Sequence, residues 1–201
     1  MKNKHITKKT HFFYFCMMLL ANLIGAISML LLVSFLGKTG ARDFFVRNYK
    51  VFAVVYALVG IAISNFIMFL YFKRKAIPNM LSNNECKPNT KEIKKIFCLL
   101  VLPSEIIRFI LTSLPTRPGG LCGYRFFDGF FAMPANLLYD QFYLMPNNRL
   151  EIIRETGYTF VDNALFILVC LLYFALNTTI LYFAFLFIWK KYEKQSNTLY
   201  L

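Results

Sequence analysis

The sequence predicts an all-α integral membrane protein with four transmembrane helices and a 45-residue outer segment containing short or interfacial helices. Three observations predict it: four long apolar runs, a charged fraction of 16% beside 58% hydrophobic residues, and Lys and Arg gathered at the ends of those runs. Soluble domains carry about 25% charged and about 45–50% apolar residues. Each run is long enough, at about 1.5 Å per helical residue, to cross a hydrocarbon core about 30 Å thick. Residues 1–201 read as a single membrane domain.

The first span, 11–36, follows a basic stretch that also holds both histidines, His5 and His11. A cleaved signal peptide would have an apolar core of about 7–15 residues and a clear small-residue cleavage site. This run is longer, and Thr39-Gly40-Ala41 is a poor site, so the span is expected to stay. The second span, 51–72, ends at Lys73-Arg74-Lys75, which anchors it or touches anionic headgroups.

The third span, 96–114, follows Asn89-Thr90-Lys91-Glu92, whose N-x-x-E spacing is that of a capping box. It stops before Pro115, which lacks the backbone donor that a continuing helix needs. The fourth span, 160–189, opens at Thr159-Phe160-Val161-Asp162, a similar start, and is long enough to tilt or project beyond the membrane.

Between the third and fourth spans lies the outer segment, 115–159. Its opening, PTRPGGLCGYRFFDG, is turn-rich. Pro134 suits a first helical turn, and the sequence after it predicts an amphipathic helix that lies in the outer interface or caps the bundle. Asn148-Arg149-Leu150-Glu151 has a second capping-box spacing, with Gly157 as the stop of a short helix.

Orientation follows from Lys and Arg. With the N-terminus inside, the inner segments 1–10, 73–95 and 190–201 hold four, seven and three of them, and the outer segments 37–50 and 115–159 hold four each. Basic loops stay in the cytoplasm, so both termini are expected there. Abundant Lys, Asn, Ile and Phe suggest an AT-rich coding sequence and a bacterial cytoplasmic membrane.

A net charge of +13 would suit nucleic acid, but the basic residues mark span ends instead of one folded face. No nucleic acid is expected. The five cysteines, Cys16, Cys86, Cys98, Cys122 and Cys170, are odd in number and form no CxxC. With two histidines, both near the N-terminus, no metal, no cofactor and no catalytic triad are expected. Asp128, Asp140, Glu151 and Glu155 read as solvated carboxylates, and Cys122 has no histidine base beside it.

Within the spans, two stripes of small residues stand out. Ala53, Ala57, Gly60 and Ser64 share one face of the second span, and Ala21, Gly25 and Ser28 share one face of the first. Small residues let helices approach closely in lipid, so the stripes are expected to face each other. Asn22, Asn65 and the Asn177-Thr178-Thr179 cluster add polar groups, each worth about 0.6 kcal/mol as an inter-helix hydrogen bond. Asn177-Thr178-Thr179 matches a glycosylation sequon, but its midspan position rules modification out.

The strongest signal is Glu105 and Arg108 in the third span. Glu105 lies about 15 Å along the helix from Lys95, close to the bilayer midplane. A charge there costs about 2.5–3.5 kcal/mol on insertion scales, so the two together cancel most of what the apolar residues contribute. That span should depend on its neighbours. Residues three apart share a helix face, so the two side chains can pair. Alternatively, burial keeps Glu105 neutral while Arg108 reaches towards the outer interface. Pro103 removes a backbone hydrogen bond just before them.

These readings point to a non-enzymatic membrane protein, a partner, accessory or regulatory subunit of a membrane complex that meets the lipid bilayer and a membrane-protein partner or a second copy of itself. The alternative is a small transporter or channel component with Glu105, Arg108, Asn65 and Asn177 along its pathway. A membrane-embedded enzyme ranks third.

Overall fold

The computed structural model describes residues 8–38, 47–82, 90–113, 132–146, 148–149, 151–152 and 159–198. Among them every regular element is helical. Helix α1 runs Lys8–Lys38, α2 Tyr49–Tyr71, α3 Ile77–Ser82, α4 Thr90–Ser113, α5 Met133–Tyr139 and α6 Phe160–Thr198. Wide π turns, Phe72–Ala76 and Asp140–Leu144, join α2 to α3 and extend α5.

Three stretches are long and apolar enough to cross a membrane: Lys8–Leu32, Tyr49–Leu81 and Phe160–Glu193. They coincide with the first, second and fourth expected spans. The third expected span, 96–114, is helical over 96–113 but is not among these three; residue 114 lies outside the described residues. Large apolar side chains point outward over all four long helices, among them Phe35, Phe66, Ile106, Phe183 and Phe187. Water would penalise such a surface and lipid tails would not.

The second helix departs from expectation. A loop was expected from residue 73, yet the chain stays helical to Ser82. Two physical causes keep it wound. Phe72, Ala76, Ile77 and Met80 are buried against Tyr14, Phe97, Phe185 and Trp189, so unwinding would expose them. Pro78 would clash with the Arg74 carbonyl in a regular α-helix. The π turn widens the backbone just there, and Ile77 N–H bonds to the Phe72 carbonyl. Lys73, Arg74 and Lys75 remain on the exposed side of this turn.

The basic end of the molecule is assembled from all four long helices. Lys9 and Lys75 both stand over the Phe13 ring, at 5.9 and 4.8 Å, and Tyr192 of α6 donates to the Lys73 carbonyl at 2.7 Å. Ile93 at the start of α4 and Trp189 near the end of α6 belong to the same apolar cluster. A second cluster, Ile61, Ala132, Ala135, Cys170, Tyr173 and Phe174, fills the opposite half.

Helix α5 begins as the sequence suggests, with proline in its first turn. It packs between α2 and α6. Ala132 and Ala135 are fully enclosed among α2 and α6 residues, and Pro134 approaches Gly60. Gly60 is about 16 Å along α2 from Tyr49, so α5 dips between the helices. Backbone at such depth is tolerated when protein encloses it. Asn148 takes φ 49°, a left-handed turn position that asparagine accepts, and its carbonyl receives the Glu151 N–H at 3.2 Å. Residues 149, 151 and 152 after it are helical, so a short helix begins where the spacing suggests. Asn89, Cys86, Cys122, Asp128, Glu155 and Gly157 lie outside the described residues.

Candidate functional site

The second half of helix α4 is built inside out. Ser104, Glu105, Arg108 and Thr112 fall on one face at steps of one, three and four residues, and all are buried at 0–4% exposure. Leu102, Ile106, Ile107 and Ile110 fall on the opposite face and are 41–54% exposed. The 3.6-residue period that normally puts apolar residues inside here puts the charges inside.

The two charges meet within that face. Arg108 Nη2 lies 3.3 Å from Glu105 Oε2, with the guanidinium wholly enclosed. The Arg108 group stacks on aromatic rings of α6, 4.4 Å from the Phe174 centroid and 5.5 Å from that of Tyr173. A desolvated cation over a ring gains about 2 kcal/mol, part of the cost of taking the charge out of water. Tyr14 of α1, fully buried, stands within electrostatic reach of both charges.

This cluster is under-bonded. Neither Glu105 oxygen, none of the three Arg108 nitrogens and not the Tyr14 hydroxyl completes a hydrogen bond. The Tyr173 hydroxyl approaches the guanidinium without good bonding geometry. The Arg108 carbonyl does receive a bond, from the Thr112 hydroxyl at 2.8 Å. The five donors of Arg108 and the four acceptor positions of Glu105, all on α4, thus stand beside the Tyr14 hydroxyl of α1 with their capacity largely unspent.

Asn65 and Asn177 meet each other and not the charged pair. The Asn65 amide donates to Asn177 Oδ1 at 2.7 Å and to the Ile61 carbonyl at 2.9 Å, both buried. This ties α2 to α6 one helical turn from Tyr173. Asn22 turns back on its own helix, donating to the Met18 carbonyl at 2.7 Å; Ser28 and Thr179 do the same to Ile24 and Ala175.

The small-residue stripes lie against each other. A methyl placed on Gly25 would stand 2.8 Å from the Gly60 carbonyl oxygen and 3.3 Å from Ser64 Cβ, and one on Gly60 would overlap Met29 Sδ. Ala21, Ala53, Ala57 and Ser64 are buried along this seam, and Ser28 is turned outward. Close backbone approach of this kind requires that neither glycine carry a Cβ.

At the N-terminal end of α6 a second ion pair forms a clasp. Arg149 reaches Asp162 through Nη2, at 2.7 Å to Oδ2 and 2.9 Å to Oδ1, and through Nε at 3.2 Å. Asp162 also receives the Thr159 N–H at 2.8 Å, the Thr159 hydroxyl at 2.6 Å and the Tyr143 hydroxyl at 2.8 Å. Its own N–H donates to Thr159 Oγ1 at 3.3 Å, completing the reciprocal pattern of a capping box. Tyr139 donates to the Asp162 carbonyl at 2.9 Å. The bond to Asp162 pushes the Tyr143 hydroxyl up and holds the Arg149 guanidinium above its ordinary value.

Sequence reading singled out Glu105, Arg108, Asn65 and Asn177 and missed Tyr14, Tyr173 and the Arg149 clasp. The tyrosines sit in runs such as FFYFC and LLYFA, where nothing distinguishes a polar tip in the core from one at the interface. Among the described residues no three His, Cys, Asp or Glu side chains converge as metal ligands would. Comparison with known protein families, curated proteins and solved structures finds no match.

Proposed function

We propose that the chain is a four-pass integral membrane protein acting non-enzymatically as a partner or regulatory subunit of a membrane complex, with both termini on the cytoplasmic side of a bacterial membrane. One observation carries the four-pass reading. The pattern of the second half of α4 supports it: Leu102, Ile106, Ile107 and Ile110 would face lipid while Glu105 and Arg108 face the bundle. The basic end formed by Lys9, Lys75, Lys94 and Lys190 supports the orientation.

The interior polar groups favour tethering over transport. A pathway would place Glu105 beside Asn65 or Asn177 in a space open to water. Those amides instead bond to each other and are enclosed. Purification in mild detergent, followed by identification of co-purifying membrane proteins, tests the reading. A partner is expected; a monodisperse chain with none would overturn it.

Transport remains the second reading because of the unspent hydrogen-bonding capacity at Glu105, Arg108 and Tyr14. Under it, E105Q abolishes flux in reconstituted vesicles while the protein level stays constant. Unchanged flux excludes an essential carboxylate.

A further inference from the structure

On the outward side of α4 and α6 a slot of about 590 Å³ runs from Lys94 to Phe109 on one helix and from Phe183 to Leu171 on the other. Its walls are almost wholly apolar. Lys94 stands at its mouth, and Lys91 lies one turn earlier on the same face of α4. On α6 the exposed residues Phe183, Phe187 and Lys190 follow at steps of four and three, so a third cation flanks the same opening; Glu92 and Glu193 are the acidic residues near it.

Depth and charge narrow the occupant. From Lys94 to Glu105, at the slot floor, is about 16 Å along the helix, close to half of an about 30 Å hydrocarbon core. One leaflet's acyl chain would therefore end where the Glu105 edge begins, with its headgroup among the lysines. The cluster of Lys91, Lys94 and Lys190 at the mouth matches an anionic headgroup better than the neutral flank of a partner helix. Resting on the four-pass reading, we propose that this slot binds an anionic phospholipid, its phosphate at Lys94 and one acyl chain between α4 and α6.

The test is native mass spectrometry of the full chain released from vesicles containing equal phosphatidylglycerol and phosphatidylcholine. The wild type should retain phosphatidylglycerol about fivefold over phosphatidylcholine. K94Q should bring the ratio towards one. A175W, placed on an exposed slot wall, should cut retention of both lipids without changing expression. Equal retention of the two lipids by the wild type, or a full complement in A175W, would overturn the inference. So would a protein, and not lipid, recovered by crosslinking from Cys98 on the slot wall. Extraction of the chain from membranes by alkaline carbonate would instead overturn the four-pass reading beneath it.

Discussion

Glu105–Arg108 and Arg149–Asp162 are the same chemical pair in opposite states of completion. At the N-terminal end of α6, Asp162 accepts from two residues beside Arg149 and from a backbone N–H, and the guanidinium docks through two nitrogens. In the bundle centre the ion contact is 3.3 Å long, and the side-chain polar atoms of Glu105, Arg108 and Tyr14 lack hydrogen bonds. The outer pair is a finished joint that holds the segment after α5 onto the start of α6. The inner pair keeps donors and acceptors in reserve, in the place where leaving them so costs most. A pair kept solely for stability would be expected to look like the outer one.

Breaking the inner pair should have the largest effect. R108M strands Glu105 and should destabilise the fold by about 3–5 kcal/mol, whereas replacing both partners in E105M/R108M should recover most of that loss. Unfolding midpoints in mixed micelles read both; a double variant as unstable as the single one would mean that the pair does more than neutralise itself. D162A removes the cap and the clasp together and should cost about 2–3 kcal/mol. Limited proteolysis should then cut the segment between α5 and α6 faster, while the α4 region keeps its protection.

An uncharged seam supplies the control. G25V forces a side chain against the Gly60 carbonyl and should cost about 1–3 kcal/mol by overpacking, with no dependence on salt. Smallest of all, N65A removes the amide bridge to Asn177 and should shift stability by about 0.6 kcal/mol. A loss several times larger would place Asn65 in the same polar network as Arg108 and narrow the distance between the tether and pathway readings.

Much of this arrangement is legible in the chain before folding, and the parts that are not share a cause. The Thr159–Asp162 spacing announces a cap because both partners lie within one turn, and Gly25 and Gly60 announce a seam because the period is local. Arg149 gives no sign of reaching Asp162 thirteen residues on, since its place depends on how α5 and the π turn fold. Tyr14 and Tyr173 join Arg108 only through the packing of three helices. The helix ends were misjudged at Lys73 because charge was taken as the limit of winding, while burial of Ile77 and Met80 sets it.

The π turn at Phe72–Ala76 also works as a change of phase. One additional residue in the turn rotates everything after it by about 100° relative to an uninterrupted α-helix. Asn65, Met68 and Phe72 lie inward before it, and Ala76, Ile77 and Met80 lie inward after it. Without the offset the two halves would present different faces to α1 and α6, and the lysines would swing round the axis with them. The bundle thus keeps one continuous interior across a helix whose own period would have lost it, and Pro78 holds the adjustment in place.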